Sequence, residues 1–267
     1  MSGLPFSPAL DLELGADGWL TVWFNEPERR NVLTGPRVEA LVALAAALKG
    51  RRDVRGVTFR GRGGFFCAGG DIKGFRAAVE GGRDGAYALS MAGAAAFGAV
   101  ATLEQVTVMA IEGGAYAGGL GLAACGDLAI AEPGARFSLT EARIGVVPAQ
   151  IAPWLLRRLG ARETRRLMLT AATLDAAEAK AAGILDEVAD DLDGALARVK
   201  ATVLGCGPGA LAATKALLAD LPGLDRAGET ARAAGAFADA LVSEEGREGV
   251  ASFLEKRKPR WAPGGGS

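Results

Sequence analysis

No histidine occurs anywhere in this 267-residue chain. That absence removes Ser-His-Asp and Cys-His nucleophilic catalysis, HExxH zinc sites and every imidazole acid or base. Cysteine is nearly as scarce. Cys67, Cys125 and Cys206 are odd in number and far apart, so they offer neither a CxxC metal pair nor a disulfide framework, and a reducing compartment suits them. Each is expected to be a small buried apolar residue rather than a nucleophile. An excess of one charge is also missing. With 30 basic and 31 acidic residues the net charge is −1, so no global field draws the chain to nucleic acid or to an anionic membrane. The basic cluster Lys256-Arg-Lys-Pro-Arg260 is short and is expected to be a rim patch. Long hydrophobic runs are lacking too. The longest, Met91 to Ile111, is interrupted by Glu104 and Gln105 and falls short of a membrane span. No basic segment followed by an apolar one opens the chain, so no secretory signal is expected and the predicted location is cytoplasmic.

What the chain has in excess is glycine, 39 residues against an average share of about 7%. These glycines are spread between periodic segments, which points to tight turns and close helix packing rather than disorder. The length is enough for one large core. Leu10–Leu14 and Trp19–Phe24 flank Gly15-Ala-Asp-Gly18 and read as a hairpin. Thr34, Pro36 and the apolar positions Val38, Leu41, Val42, Leu44, Ala45 and Leu48 give an N-cap, an early proline and a helical period. Strands are expected at Val54–Phe59, Val106–Ile111, Leu128–Ala131 and Arg136–Leu139, with a glycine-rich start to a buried helix in Gly113–Ala124. Helices are expected at Trp154–Leu159, Ala161–Thr170, Asp175–Ala182, Leu192–Leu204, Gly209–Leu218, Asp225–Leu241 and Glu244–Lys256. Phe75–Ser90 reads as a mobile glycine-containing loop. The division expected is an α/β body over 1–204, a helical portion over 205–260 and a loose tail over 261–267.

Three local features carry chemistry. In Phe65-Phe-Cys-Ala-Gly-Gly-Asp-Ile-Lys73 an expected strand runs into two glycines and a helix-starting aspartate. Backbone N–H groups there are free to cradle an oxyanion, although an ordinary turn capped by Asp71 explains the same residues. In Gly113-Gly-Ala-Tyr-Ala-Gly-Gly-Leu-Gly121 the same exposure of amides, or merely a close-packed helix start, follows a buried strand. In Ser138-Leu-Thr-Glu-Ala-Arg-Ile-Gly-Val-Val-Pro148, Glu141 sits among apolar neighbours. Desolvation there would raise its pKa toward a range useful for proton transfer, whereas a pairing with Arg143 or a helix-capping role would make it structural.

Taken in order, these segments resemble the crotonase (enoyl-CoA hydratase/isomerase) superfamily. Asn25-Glu-Pro-Glu-Arg-Arg-Asn31 is similar to an early motif of that family, Phe66–Lys73 and Ala110–Asp127 to its two oxyanion loops, and Phe137–Pro148 to its catalytic-glutamate segment. The Glu248–Trp261 ending is similar to its C-terminal signature. The resemblance implies an α/β fold made of a spiral of ββα turns with a helical C-terminal trimerisation region. It implies that Gly70 and Gly118 N–H groups bind the thioester oxygen and that Glu141 is the acid–base residue. It also implies that Arg29, Val32, Ala68, Asp71 and Ile72 contact coenzyme A, with Phe253 and Lys256 supplied by a neighbouring subunit. A homotrimer or dimer of trimers, an acyl-CoA substrate and no further cofactor complete the expectation.

One position departs from the pattern. Many hydratases of the family carry another catalytic glutamate on the helix after the second oxyanion loop, and here that position is Gly121. Asp127, nearly two helical turns on, is expected to face elsewhere. Three one-carboxylate chemistries remain open: hydration by Glu141 alone, double-bond isomerisation, and another enolate-forming reaction such as decarboxylation. A non-catalytic CoA-binding role stands beside them. Hydration is the favoured reading, because Gly121 with Ser138–Gly145 and Pro148–Pro153 resembles glutaconyl-CoA hydratases of the methylglutaconyl or isohexenylglutaconyl type. That resemblance implies a cation for a distal carboxylate, with Arg143, Arg157 and Lys73 as candidates. Gly121 is expected to leave room for a substituent on the β-carbon.

Overall fold

The computed structural model describes residues 3–265. The hairpin forms as expected: β1 (Leu10–Leu14) pairs antiparallel with β2 (Trp19–Phe24). From β2 onward the sheet is parallel, through β3 (Gly56–Gly61) and β4 (Val106–Ile111). The remaining strands are β5 (Gly114–Tyr116), β6 (Leu128–Ala131), β7 (Arg136–Ser138), β8 (Thr173–Leu174) and β9 (Glu187–Val188). They complete a six-stranded sheet in the order β1-β2-β3-β4-β6-β9 and a three-stranded sheet in the order β5-β7-β8. Strands β8 and β9 are two residues long, too short for any period to be seen in the sequence.

The large sheet is buried on both faces, and β4 shows why. Met109 and Ile111 belong to the main core with Leu20, Val57 and Leu44, while Val108 and Ala110 belong to a second cluster with Trp19 and Ile130. Alternate residues of a strand point to opposite faces, and an apolar residue at every position is the mark of a parallel strand covered twice. The main core is covered by α1 (Gly35–Leu48), whose Leu41, Leu44 and Leu48 are buried, and α1 starts at Thr34, whose side chain accepts from Arg37 N. Each such buried leucine contributes about 1.5–3 kcal/mol.

Two helices occupy the segment expected to hold a loop. These are α2 (Ile72–Glu80) and α3 (Gly82–Ala101), separated only at Gly81. Gly82 at φ +63 makes the break, while alanine and long straight side chains on both sides propagate helix. The glycines that suggested mobility act at one joint. Helix α4 (Gly118–Ala124) follows β5, and α5 (Ala152–Thr170) joins the two expected segments 154–159 and 161–170 across a bend at Gly160, φ +70 and ψ 171.

Helix α6 (Ala176–Ala181) opens with a capping box between Asp175 and Glu178. The last four helices are α7 (Leu192–Leu204), α8 (Pro208–Asp220), α9 (Arg226–Val242) and α10 (Glu244–Leu254). Among the described residues no single helix is long and apolar enough to cross a membrane. The tail expected to be loose is tied at its first residue. Arg55 Nη1 donates to Trp261 O at 2.8 Å, and Trp261 Nε1 donates to Gly205 O at 3.2 Å. Ser267 and the residue before it lie outside the described residues. Cys67 and Cys125 are buried as expected, but Cys206 is exposed at the turn after α7.

Candidate active site

Three loops leave three neighbouring parallel segments at the same level. Cys67 bridges to Ala115, and Ala115 pairs with Phe137. Gly70 lies three residues beyond Cys67, Gly118 three beyond Ala115, and Glu141 four beyond Phe137. Register alone therefore gathers the three expected catalytic groups at one end of the pairing.

The two glycine amides face a common space. A Cβ placed on Gly118 would lie 3.7 Å from Gly70 N, and one placed on Gly69 would lie 3.4 Å from Gly118 N. Gly69 sits at φ +100, and its missing Cβ would meet Ala117 Cβ at 2.8 Å and Tyr116 O at 2.9 Å. Only glycine accepts that backbone and that approach together. On the other loop Ala117 is held at φ 48 and ψ −122, a sparsely populated conformation for a residue with a Cβ. Its N–H donates to Ser138 O at 2.8 Å, while its carbonyl accepts from Gly121 N at 3.1 Å. The strained unit thus sets the direction of the next amide, Gly118 N–H. Among the described residues neither Gly70 N nor Gly118 N donates a hydrogen bond within the protein. Apolar atoms close around them: Phe75 next to Gly70, and Leu33 and Phe97 next to Gly118. Two free donors in such surroundings can act as a cradle for an oxyanion.

Glu141 begins a 3-10 turn, Glu141–Ile144, and is 9% exposed. Its Oε2 is buried with no hydrogen-bond partner. Burial pushes the carboxyl above its usual range, against a smaller opposing hydrogen bond from its own backbone. The expected competitor for Glu141 is engaged elsewhere: Arg143 Nη2 donates to Ala171 O at 2.6 Å. A buried carboxyl with an idle oxygen fits a proton carrier, not a salt-bridge member.

The expected coenzyme A residues are laced together beside this cradle. Arg29 pairs with Asp71 at 2.6 Å, Leu33 N donates to Gly69 O at 2.7 Å, and Ala68 N donates to Arg30 O at 2.9 Å. Burial works to raise the Asp71 carboxyl, but hydrogen bonds from Arg29 and Lys73 N outweigh it and hold it below its usual range. Asp71 is also the N-cap of α2, so the structural and functional explanations of that residue coexist. Val32 O accepts from Arg37 Nη1, and Ile72 stands exposed. Phe253 and Lys256 are exposed at the end of α10, which packs on α8 and α9. The chain beyond them is anchored beside Arg55, just before β3 begins, whereas the glycine cradle follows the other end of that strand. Within one chain these two residues are not brought to the others.

Several residues of the site were not singled out from the sequence, although Asn31 closes the early Asn25–Asn31 motif. Asn31 is fully buried at φ 55, donates to Arg62 O and Phe65 O at 2.9 and 2.6 Å, and accepts from Glu26 N. It fixes the turn that presents Arg29, and asparagine is one of the few residues that tolerates that conformation. Arg37 is fully buried and paired with Glu26 at 2.9 Å. Phe75, Phe97 and Leu33 are ordinary apolar residues until the fold places them against the glycines.

The Gly121 position is corrected. A Cβ there would meet Ile151 Cγ2 at 2.0 Å, so the space expected for a substrate substituent is filled by protein. Asp127 faces away as expected, accepting from Thr107 N at 2.7 Å and pairing with Lys215 at 2.5 Å. Of the three candidate cations, Arg143 is bound to Ala171 O and Arg157 lies 4.8 Å over the Trp154 ring. Lys73 is exposed and makes no ion pair among the described residues.

Known proteins match this arrangement over nearly its whole length. The enoyl-CoA hydratase/isomerase family pattern covers residues 16–264. A Thermus thermophilus protein named as an enoyl-CoA hydratase is 37% identical over 245 residues, covering 90% of this chain and 96% of its own. The human mitochondrial methylglutaconyl-CoA hydratase is 29% identical over 252 residues, covering 91% and 74%. The solved structure of Pseudomonas aeruginosa AtuE superposes with a TM-score of 0.92 at 39% identity, covering 96% of this chain and 100% of that one. The chain belongs to the enoyl-CoA hydratase/isomerase, or crotonase, family.

Proposed function

We propose that this enzyme of the hydratase type adds water to a carboxylated, β-branched enoyl-CoA of the glutaconyl class, with Glu141 as its only acid–base group. The observation that carries the one-carboxylate part is the unpartnered, buried Oε2 of Glu141. In the proposed course the Glu141 carboxylate takes a proton from water as the water oxygen bonds to the β-carbon. The π electrons move onto the thioester oxygen, where Gly70 and Gly118 N–H groups meet the charge. Glu141 then gives its proton to the α-carbon as the enolate collapses. A raised carboxyl pKa suits both steps, because it favours the base when ionised and leaves a ready proton afterwards. No metal or redox group is needed for that cycle.

The substrate class is supported by the likeness to methylglutaconyl-CoA hydratase. Lys73, on the first turn of α2 next to the cradle, is the cation available to a distal carboxylate. Coenzyme A would lie along Arg29, Val32, Ala68, Asp71 and Ile72. Phe253 and Lys256 of a second copy would cover its nucleotide in a trimer or dimer of trimers. Exposed Phe237, Leu241, Val242, Val250, Phe253 and Leu254 on α9 and α10 supply the apolar surface such an assembly requires. The proposed location is cytoplasmic.

The substrate reading is tested by comparing kcat/KM for crotonyl-CoA and 3-methylglutaconyl-CoA in wild type and Lys73→Ala. Preference for the branched acid, lost on removing Lys73, supports it, and a strong preference for crotonyl-CoA overturns it. Isomerisation is the second reading, favoured by the same lone carboxylate, since one base can lift a proton and return it to another carbon. A 3-enoyl-CoA would then gain conjugated absorbance.

A further inference from the structure

The side chains on one face of helix α3 are small enough to leave a shallow trough that starts beside Gly118. Phe97 Cζ lies 3.7 Å from the Cβ position of Gly118. Seven residues earlier, two helical turns and about 10 Å along the same face, stands Ser90. Between them that face holds only Gly93 and Ala94. At the far end the trough is crossed: Gln150 Nε2 donates to Ser90 Oγ at 2.9 Å, and both side chains are half-buried. The next residue, Ile151, packs on Gly121, one turn from Gly118 on α4. One strip of chain, Glu141 to Ile151, therefore supplies the buried carboxyl at one end, and at its other end the wall beside the cradle and the bar across the trough.

We propose that the Ser90–Gln150 hydrogen bond closes the far end of the acyl trough and sets the acyl length that this site accepts. The inference rests on the reading that an acyl thioester sits with its oxygen on Gly70 and Gly118. A chain leaving the cradle between Phe97 and Ile151 would run over Gly93 and Ala94 and meet the bar; within 4 Å a Cβ on Gly93 would meet only Phe97 Cε2, at 3.9 Å. Apolar residues flank the bar on both sides: Leu89 and Met91 on α3, and Val146 and Val147 before Gln150, all exposed. An alkyl chain that passed the bar would find hydrocarbon there. A neutral pair is suited to this place, because it repels no alkyl chain by charge and opens at the cost of one half-buried hydrogen bond.

The test uses Ser90→Ala and Gln150→Ala, with kcat/KM measured for trans-2-enoyl-CoAs from crotonyl to decenoyl. Calorimetric Kd values for the matching saturated acyl-CoAs are measured in parallel. Ser90→Ala raises helix propensity in the middle of α3, so that variant retains its fold. Both variants are expected to gain at least about tenfold on acyl chains longer than the wild-type optimum, the scale of opening a pocket by one or two methylenes. Crotonyl-CoA, too short to reach a bar about 10 Å from the cradle, is the reference against which that gain is read. An unchanged length profile in both variants, or an equal loss at every length, overturns the proposal. The binding series separates the two readings. If no enoyl-CoA is hydrated but the Kd profile lengthens in the variants, the hydration reading fails and the bar stands. If hydration proceeds and the Kd profile does not move, the bar fails alone.

Discussion

Ile151 occupies the volume into which any side chain on Gly121 would project, with its Cγ2 2.0 Å from that residue's Cβ position. Isoleucine is branched at Cβ and holds essentially one rotamer in such surroundings, so it cannot swing aside. Gly121→Ala is therefore expected to destabilise the fold by about 1–3 kcal/mol, the usual cost of overpacking. Ile151→Val leaves that clash in place, whereas Ile151→Ala removes the Cγ2 contact and leaves only its own Cβ, 2.6 Å from the Gly121 Cβ position, so Gly121→Ala with Ile151→Ala should cost less than the sum of the two. Chemical denaturation of the four proteins reads this coupling, and strict additivity would contradict the contact.

Gly118 makes the opposite case. Its φ is not positive, and the nearest obstacle to a Cβ is the flexible end of Leu33 at 3.1 Å. Gly118→Ala should fold normally, yet it puts a methyl group 3.7 Å from Gly70 N in the space intended for the oxyanion. The expected result is an unchanged thermal midpoint with a fall in kcat of about 10²–10³, the scale on which an oxyanion donor matters. Full activity in a folded Gly118→Ala protein would place the cradle elsewhere.

Glu141 ties activity to stability through pH. Its folded-state pKa lies above the unfolded value of 4.5 because burial disfavours the charge. The stability that this shift contributes is present below the unfolded value and is lost as pH rises through the folded one. Glu141→Gln removes the cost of burying a charge. It should therefore raise the thermal midpoint relative to wild type near neutral pH and give no such gain at a pH well below 4.5. Equal shifts at both pH values would mean that the carboxyl is not held in an unfavourable charged state.

Asp71 joins two jobs. It caps α2 through Lys73 N and holds Arg29 at 2.6 Å. Asp71→Asn keeps an acceptor for the cap but loses the ion pair, while Asp71→Ala loses both. The alanine variant is expected to be less stable than the asparagine variant by about 0.5–2 kcal/mol, the range for a lost N-cap. Both should raise KM for acyl-CoA more than they lower kcat, because Arg29 is then free to leave the coenzyme A path. A selective fall in kcat would instead put Asp71 in the chemistry.

Sequence alone exposed most of this architecture where a short period or a cap was present. The hairpin at Gly15–Gly18, the Thr34 cap, β4 and α7 follow directly from alternation and spacing. The helices over Phe75–Ser90 did not, because Gly81, Gly82 and Gly85 resemble a loop in composition although Gly82 and Gly85 lie within α3 and Gly81 just before it. The cradle was legible for a related reason: its glycines are required by backbone approach, and that requirement is local. Its surroundings were not. Phe75, Phe97 and Ile151 become site residues only through tertiary packing, and no local pattern separates them from other core hydrophobes. The same limit led to the expectation of an empty space beside Gly121. A glycine shows where a side chain is missing but not what fills the gap.

The most direct test follows loss of the conjugated enoyl-thioester absorbance when wild type and Glu141→Gln are mixed with an enoyl-CoA panel. Wild type is expected to hydrate the substrate and the variant to show nothing above background, while still binding CoA thioesters as tightly. Undiminished hydration by Glu141→Gln would contradict it, because the buried carboxyl would then not be the group that moves the proton.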